Sequence, residues 1–376
     1  MHSNSMADIE ERRDIAADLI ISPDCNVQVA KSPLDGITDT LLYDDMMQFK
    51  REVEVLLEAQ TPYLTDTERN MFLRGKKIRP VVMMLCARMI AEDDPLPRKL
   101  YRGAASLETL HIATLIHDDI VDEAPLRRGL PSVSAARGTK TALLIGDLHF
   151  VQALRSFADV IDTERDMMLI KLVLNTAFDI CRGELDELER TPQKSHIEYV
   201  TRYYQTIDRK TAALFRLACQ AGIDLVGGRT RDARRAGFFG RSLGRAFQIM
   251  DDVIDVLAVQ GSEGKQPGID LELGRMSLPL LYGTEILGPD HVISKALYEG
   301  IAPQGEILAE ALDDLRECGA IDRAYAQARR EMLQALFYLQ PFPANRYREA
   351  LDHLARFVVD RPLQTEPEKD VPWPLS

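Results

Sequence analysis

The stretch Leu115-Ile116-His117-Asp118-Asp119-Ile120-Val121-Asp122 places three aspartates at the end of an apolar run with helical spacing. The same D-D-x-x-D pattern returns in the second half of the chain as Asp251-Asp252-Val253-Ile254-Asp255. On a helix, the first and last aspartate of each copy lie four residues apart and so share one face. Both copies therefore predict a small carboxylate cluster on a helix that otherwise packs into a core.

Carboxylates packed this closely repel one another unless a cation lies between them. Mg²⁺ is the natural candidate, because it takes carboxylate oxygens from the protein and completes its shell with water and substrate phosphates. An all-oxygen ligand set argues against zinc. A single copy would more often be a solvated acidic patch, but apolar flanks favour a metal site that lines a cavity. These flanking residues are Leu107, Leu110, Ala113, Leu115, Ile116 and Ile120 for the first copy, and Leu243, Phe247, Met250, Ile254 and Leu257 for the second.

Composition narrows the class of protein. A chain of 376 residues with 45% hydrophobic residues can bury a sizeable core. Its formal net charge of −13 disfavours nucleic acid and anionic membrane surfaces as primary partners. The five cysteines are an odd, widely spaced set without C-x-x-C pairs, which indicates a reduced, cytoplasmic protein. The sequence predicts neither a signal peptide nor a transmembrane segment.

Helical periodicity continues through most of the chain, and no run of alternating strand residues stands out. We therefore predict an all-α bundle in a single domain over residues 37–364. Residues 1–36 are predicted to be a loosely held extension, and residues 365–376 a poorly ordered tail. Pro and Gly punctuate the helices at residues 94–97, 126–131, 227–228, 261–268 and 288–289.

Small basic clusters accompany the two acidic ones. Arg127-Arg128 follows the first Asp cluster directly, Arg74–Pro80 precedes it, and Arg209-Lys210-Thr211 lies between the two Asp copies. Arginine forks match diphosphate oxygens through bidentate, charge-assisted hydrogen bonds. Each basic cluster alone would more often be solvated surface. Together with two carboxylate clusters, they indicate a substrate with two diphosphates.

In this order, the motifs resemble those of the trans-polyprenyl diphosphate synthases, the prenyltransferases that elongate isoprenoid chains. The resemblance covers roughly Leu41 to Arg361. It implies the isoprenoid synthase fold, an all-α bundle around a central cavity, and a homodimer. It also implies isopentenyl diphosphate and an allylic diphosphate as substrates and Mg²⁺ as cofactor. The matching stretches are Gly75–Pro80, Leu115–Ala124 with Arg127–Gly129, Gly146-Asp147, Gly183-Glu184, Lys210–Ala212 with Leu214-Phe215, Phe247–Ile249, and Gly264-Lys265 with Gly268 and Asp270.

The same resemblance assigns roles to individual residues. The isopentenyl diphosphate would be held by Lys76, Arg79, His111 and Arg128. The allylic diphosphate would be contacted by Arg127, Lys210, Thr211, Gln248 and Lys265. The metal ligands would be Asp118, Asp122, Asp251 and Asp255. The catalytic set would be these four aspartates with Asp119, Asp252, Arg127 and Lys210.

Product length is expected to depend on the residues just before the first Asp cluster. A prenyl tail held at Asp118 would run back along its helix past Thr114 and Ala113, neither of which is bulky. In the family, aromatic residues at these positions form a floor, so a product of C20 or longer is favoured here, and Ala113→Phe is expected to shorten it. A deeper floor formed by Phe150, Leu154 or Phe178 is an alternative limit.

Some positions depart from the family pattern. Gly274-Arg275-Met276-Ser277-Leu278-Pro279 has Arg and Ser where Lys and Thr are usual, Arg74 replaces a common Gly, Leu148-His149 replaces the usual Tyr and aliphatic pair, and Glu187 replaces a frequent Gln. Three rival functions are a terpene cyclase, a silent regulatory subunit of a heteromeric synthase, and a His-Asp metal phosphohydrolase. The first two would be marked by altered or lost motif residues, and the third would need further His ligands.

Overall fold

The computed structural model describes residues 33–189, 195–258 and 267–360. The predicted amino-terminal extension lies outside the described residues except for 33–36, and the predicted tail at 365–376 lies entirely outside them. Lys265, predicted to contact the allylic diphosphate, and Cys25 also fall outside. The domain boundaries therefore stay predictions.

Helices make up nearly all the regular structure of the described residues, so the all-α prediction is confirmed. The helices before the second Asp cluster are α1 (Pro33–Gly36), α2 (Tyr43–Glu58), α3 (Asp66–Leu73), α4 (Ile78–Ala91), α5 (Arg98–Val121), α6 (Val133–Arg137), α7 (Thr139–Ala158), α8 (Met167–Leu188), α9 (His196–Ile207) and α10 (Ala213–Leu225). The remaining helices are α11 (Thr230–Leu257), α12 (Ile269–Glu272), α13 (Leu278–Leu287), α14 (Val292–Glu299), α15 (Glu306–Glu317), α16 (Ala320–Leu339) and α17 (Arg346–Asp360). Short π-helical turns cover Ile37–Leu41 and Asp208–Ala212, and 3₁₀ turns cover Thr61–Tyr63 and Glu164–Asp166.

One short β-hairpin, which the sequence did not predict, follows α5. Strand β1 (Leu126–Arg127) pairs antiparallel with β2 (Leu130–Pro131). The two residues between the strands, Arg128 and Gly129, have φ of 51° and 73°, as the tightest hairpin turns require. Two-residue strands are too short to show an alternating pattern, which explains why periodicity missed them.

The core is continuous and lies around α5, α10 and α11. Helix α10 packs against α4, α8 and α11, and its side chains Leu214, Phe215 and Leu217 are almost completely buried. Helix α5 packs against α2 and α7, while α11 also packs against α16. Helices that are apolar on most sides belong at the centre of a bundle. None of the described helices combines enough length with enough apolar sequence to span a bilayer.

Helices α5 and α11 position the two Asp clusters. Helix α5 has 24 residues and carries Asp118 and Asp119 in its last turn, with Asp122 directly after its end. Helix α11 has 28 residues and carries its whole cluster in its last two turns. Most apolar residues of both helices are buried in the core, which fixes the helices against their neighbours. Their carboxyl ends open on the same cleft.

Candidate active site

A cleft of about 530 Å³ lies where α5 and α11 end. Asp118 and Asp122 line it from α5, and Asp251 and Asp252 line it from α11. Residues of α8, α9, α14 and the π-helical turn complete its walls. The structure thus brings the two acidic clusters to one cavity, although they are far apart in sequence.

The three aspartates of the first cluster have different surroundings. Asp118 Oδ1 lies 3.8 Å from Lys210 Nζ and accepts no hydrogen bond within the described residues. Asp122 forms an ion pair with Arg275. Asp119 is only 1% exposed, and its Oδ1 accepts hydrogen bonds from Arg127 Nε at 2.8 Å and Nη2 at 2.5 Å. Burial raises the pKa of both Asp118 and Asp119.

The middle aspartate of the second cluster is also buried. Asp252 Oδ2 accepts hydrogen bonds from the Tyr203 hydroxyl at 2.7 Å and from the Leu278 amide at 3.2 Å. Its Oδ1 accepts one from Gln248 Nε2 at 3.0 Å. Burial raises the pKa of Asp252 to about 7, against the lowering effect of these donors. Asp119 and Asp252 are therefore tied to protein donors, which suits a positioning role.

The outer aspartates of the second cluster differ from each other. Asp251 lines the cleft. Asp255 instead accepts hydrogen bonds from the backbone amides of Ile269 and Asp270, both at 3.2 Å, at the start of α12. Asp270 lines the cleft in turn, and burial raises its pKa. Both carboxylate oxygens of Asp255, a predicted metal ligand, thus accept hydrogen bonds at the start of α12.

The π-helical turn Asp208–Ala212 carries two residues that are predicted to contact the allylic diphosphate, Lys210 and Thr211. Such turns widen the helix and often occur at functional sites. A Cβ at Gly183 of α8 would lie 2.9 Å from the Lys210 backbone nitrogen, so glycine there allows α8 to approach the turn closely. Lys210 and Thr211 both line the cleft. The Thr211 hydroxyl donates to Gln248 Oε1 at 2.7 Å, which joins the turn to α11.

Lys210 lies among carboxylates of α5 and α8. Its Nζ is 2.6 Å from Glu187 Oε2 and 2.9 Å from Glu184 Oε2, in addition to Asp118. Burial alone would lower the pKa of Lys210, but Asp118, Glu187 and Glu184 raise it, so the side chain is cationic at neutral pH. Burial, reinforced by Asp118, raises the pKa of Glu184 to about 7. The carboxylates of Asp118, Glu184 and Glu187 therefore lie close together, with Lys210 between them.

The segment that departs from the family pattern also reaches the cleft. Arg275 pairs with Asp122, and its Nε lies 3.8 Å from Glu187 Oε1. Burial would lower the pKa of Arg275, but Asp122 and Glu187 raise it. Ser277 is buried at the start of α13, and its hydroxyl has no hydrogen-bond partner in the described part of the chain. Arg275 is thus a cation of the cleft itself.

A second basic group adjoins the first Asp cluster. A Cβ at Gly75, which has φ of 90°, would overlap the guanidinium of Arg128, so glycine allows Arg128 to lie against this loop. Arg79 Nη1 donates to His111 Nε2 at 3.0 Å, and the Arg79 guanidinium lies 4.9 Å from the ring centre of Phe215. Burial lowers the pKa of Arg79 to about 10 and also lowers that of His111, which is therefore neutral.

The two neighbouring lysines of this loop differ in environment. Lys76 is half-buried. Lys77 is buried, with φ of 48°, and its Nζ donates to Glu108 Oε1 at 2.9 Å and to the Arg74 carbonyl at 2.7 Å. Lys77 therefore stabilises the loop through buried contacts with Glu108 and Arg74.

Of the predicted chain-length residues, Thr114 shares a face of α5 with Asp118 and is half-buried, while Ala113 is fully buried. The Thr114 hydroxyl donates to the His111 carbonyl at 2.7 Å. Phe150 and Leu154 pack against the core. The suggestion that Phe178 closes the cavity is wrong for the single chain, because its side chain is 64% exposed on α8.

Two residues that sequence analysis missed support the site. Tyr203 donates to Asp252, and Asp208 anchors the π-helical turn through Arg241 and Arg245. Tyr203 lies one helical turn before Ile207 on the buried face of α9, but a tyrosine on an amphipathic helix carries no specific signal. Their partners lie far away in sequence, so only the fold reveals them.

The donor set suits a hard divalent cation. Carboxylates line the cleft beside its cations: burial raises the pKa of Asp118 and Asp252, and a buried Asp118 oxygen lacks a hydrogen bond among the described residues. No three His, Cys, Asp or Glu side chains within the described ranges are close enough to hold an ion by themselves. Oxygen donors are the groups that Mg²⁺ takes from proteins, together with substrate phosphates.

Fold and cleft together define an all-α protein with facing acidic clusters and flanking cations. The family model described as "Polyprenyl synthetase" matches residues 61–315. The chain belongs to this family, which is one of prenyltransferases.

Similar proteins agree with this assignment. Heptaprenyl diphosphate synthase component 2 of Geobacillus stearothermophilus is 31% identical over 86% of this chain and 97% of its own length. A geranyl-diphosphate-specific all-trans-nonaprenyl-diphosphate synthase of Rhodobacter capsulatus is 33% identical over 76% of this chain and 85% of its own. A solved polyprenyl synthase of Caulobacter crescentus, complexed with calcium and isoprenyl diphosphate, has a TM-score of 0.75 and 28% identity, covering 87% of this chain and 98% of the other.

Proposed function

We infer that the protein condenses isopentenyl diphosphate with an allylic diphosphate, which gives a longer trans-polyprenyl diphosphate and releases diphosphate. The observation that carries this inference is the single cleft shared by both Asp clusters, Lys210, Arg127 and Arg275. The related heptaprenyl and nonaprenyl synthases support a medium-chain or long-chain product. Both Asp clusters are intact D-D-x-x-D, whereas a cyclase normally replaces the second one, so elongation is favoured over cyclisation.

Mg²⁺ is the proposed cofactor, and a divalent ion is named in the calcium complex of the Caulobacter relative. The residues that would hold it are Asp118, Asp122, Asp251 and Asp255, with Asp119 and Asp252 fixing their helices. When bound, the ion neutralises negative charge on the leaving diphosphate. The oxygen-only donors of the cleft support this choice.

The allylic diphosphate is proposed to lie between the Asp clusters and the cations around them. Lys210, Arg127 and Arg275 are charged and line the cleft, while Thr211 and Gln248 present a hydroxyl and an amide. Binding would draw Lys210 and Arg275 from their carboxylate partners toward the phosphate oxygens. Fixed cations there stabilise the charge that develops as the C–O bond breaks.

Isopentenyl diphosphate is proposed to bind at Lys76, Arg79, His111 and Arg128. Arg79 has a lowered pKa because of burial, and an anion beside it would offset the cost of that burial. Neutral His111 accepts a hydrogen bond from Arg79 and so orients its guanidinium. On this proposal the second substrate would lie next to the first, because Arg128 adjoins Arg127, which lines the cleft.

The residues then account for each step of the condensation. The allylic C–O bond breaks and its electron pair leaves with the diphosphate, which the cations hold. The double bond of isopentenyl diphosphate attacks the allylic cation, and transfer of one proton to the released diphosphate restores a double bond. Apolar residues of the bundle exclude water that would otherwise trap the cation.

A direct assay tests this function. Purified protein with Mg²⁺ and isopentenyl diphosphate is given dimethylallyl, geranyl or farnesyl diphosphate in turn, and products are identified by mass. Linear products that grow in C5 steps support the proposal. Cyclic hydrocarbons would indicate a cyclase, and no product from any starter would indicate a silent subunit.

We also propose that the protein forms a homodimer through an apolar face on α7 and α8. Monomeric proteins rarely expose contiguous apolar patches of this kind. The Geobacillus relative is named as one component of its synthase, so a different partner chain is the alternative. The exposed apolar residues are Leu143, Leu144, Val151, Met167, Met168, Leu174, Phe178, Leu185 and Leu188.

Light scattering coupled to size-exclusion chromatography tests this assembly. The protein is expected to elute with the mass of two chains, and Phe178→Asp on the apolar face is expected to give a single chain. Ile307→Asp changes an exposed isoleucine on α15 and serves as the control. A monomeric wild-type protein would contradict the homodimer.

A further inference from the structure

The amino-terminal half of α11 presents an unusual exposed face. Arg231, Arg234, Phe238 and Arg241 are all exposed, and their spacing of three or four residues places them on one side of the helix. The acidic residue of this half, Asp232, is half-buried, and Arg241 also pairs with Asp208 of the π-helical turn. On a chain with a net charge of −13, this is a local concentration of positive charge.

Helix α16 packs beside this face and extends it. The rings of Phe238 and Tyr338 stack with 5.3 Å between centroids, and Arg245 Nη1 lies 3.3 Å from Glu331 Oε1. These two contacts show that the helices run in opposite directions, which places the exposed α16 residues next to those of α11. The exposed α16 residues on this side are Arg330, Leu333 and Phe337.

Large apolar side chains alternate with the arginines. Phe238 is 48% exposed, Leu333 56% and Phe337 59%. Between the two helices lies a groove of about 290 Å³, lined by Arg241, Arg330 and the Tyr338 ring among others. We call the surface formed by Arg231, Arg234, Phe238, Arg241, Arg330, Leu333 and Phe337 the Arg–Phe surface.

We propose that the Arg–Phe surface docks onto a lipid bilayer that contains anionic phospholipid. Arginines beside such a bilayer pair with lipid phosphates, while exposed Phe and Leu side chains insert at the boundary between headgroups and acyl chains. This mixture of arginines and large apolar side chains favours a bilayer over nucleic acid. Leu333 and Phe337 would gain no burial against a phosphodiester backbone. The net negative charge elsewhere on the chain orients this face toward the membrane.

The location of the surface leaves the cleft accessible. Arg231 lies about 30 Å along α11 from Asp251. Helix α10 packs against both α8 and α11, so the Arg–Phe surface and the apolar α7–α8 face belong to different helices around α10. Docking is thus compatible with the proposed dimer, and it does not depend on the proposed reaction.

Vesicle sedimentation with the full chain tests the proposal. Vesicles of phosphatidylcholine alone are compared with vesicles containing phosphatidylglycerol, at low and high salt. The protein is expected to bind the anionic vesicles, and more weakly as salt rises. Arg231→Gln/Arg234→Gln is expected to weaken this binding about tenfold or more, and Phe337→Ser is also expected to weaken it.

Arg51→Gln/Lys140→Gln removes two exposed charges elsewhere and is the matched control, expected to bind as the wild type does. Circular dichroism and condensation activity without vesicles are expected to be unchanged in all variants. Equal binding to both vesicle types, no binding to either, or wild-type binding by the double arginine variant would each overturn the proposal. Binding of a single-stranded oligonucleotide, without binding of vesicles, would also overturn it.

Discussion

Asp252 shows how a carboxylate beside the proposed metal site is held in a buried position. Three donors from Tyr203, Gln248 and the Leu278 amide surround its two oxygens. Asp119 has a similar arrangement with Arg127. The sequence pattern predicted which carboxylates gather, but it could not separate these tethered aspartates from the ones that face the cleft. That distinction depends on donors brought by the fold, because Tyr203 precedes Asp252 by 49 residues.

Removing the tyrosine hydroxyl tests the tether. Tyr203→Phe removes one of the two donors to a buried carboxylate oxygen, so we expect stability to fall by about 1–2 kcal/mol. We also expect condensation to slow about tenfold or more, because residues that orient metal ligands have effects of this size. Chemical denaturation and steady-state kinetics measure the two effects. Tyr63→Phe, at an exposed tyrosine, is the control, and equal behaviour of the two variants would count against the tether.

Thr114 is the residue best placed to meet the growing tail. It is half-buried on the same face of α5 as Asp118, one turn away. Thr114→Phe is therefore expected to shorten the main product by at least one C5 unit, as measured by mass spectrometry. Thr114→Ser keeps the hydroxyl and should leave the length unchanged. A product distribution that is identical in Thr114→Phe and the wild type would show that the tail follows another path.

Among the elements, the π-helical turn at Asp208–Ala212 links the two halves of the site. Asp208 accepts hydrogen bonds from Arg245 Nε and Nη2, both at 2.6 Å, and from Arg241 Nη2 at 2.5 Å. Both arginines belong to α11, the helix that carries the second Asp cluster. The turn thus fixes Lys210 relative to that cluster. Periodicity predicted a helix here, but it could not predict the extra residue of a π turn or the two-residue hairpin, since both depend on packing.

Asp208→Asn tests this anchor. We expect a loss of about 1–3 kcal/mol in stability, because half-buried Arg245 and exposed Arg241 lose their shared charged partner. We also expect the KM for the allylic diphosphate to rise more than that for isopentenyl diphosphate, since Lys210 is displaced. Asp314→Asn changes an exposed aspartate of α15 and is the control. Equal changes in both KM values would indicate a general loss of structure.

The hydrogen bonds that Asp208 accepts from Arg241 and Arg245 also lead us to expect that stability depends on pH. Burial alone would raise the pKa of Asp208, but its hydrogen bonds from Arg245 and Arg241 lower it below the ordinary value. The folded state therefore holds this carboxylate ionised more strongly than the unfolded state does, and stability is gained above the unfolded pKa. We expect the difference in unfolding free energy between wild type and Asp208→Asn to shrink as pH falls below about 4.

For the whole molecule, helical periodicity and the apolar flanks of the Asp clusters predicted the all-α fold correctly. Helices such as α5 and α11 could be predicted because apolar spacing alone determines which face is buried. The arrangement of the cleft could not be predicted from the sequence. It depends on contacts such as that of Arg275 with Asp122, which joins segments 153 residues apart. The exposed position of Phe178 likewise could not be read from an apolar residue in a helical run.

The central claim is that both Asp clusters act together on one diphosphate. Isothermal titration of a non-ionising allylic thiolodiphosphate, with and without Mg²⁺, tests it most directly. We expect tight binding only with Mg²⁺, and a loss of this Mg²⁺-dependent binding in both Asp118→Ala and Asp251→Ala. Full Mg²⁺-dependent affinity in either variant would contradict the account, because one cluster would then suffice to hold the ligand.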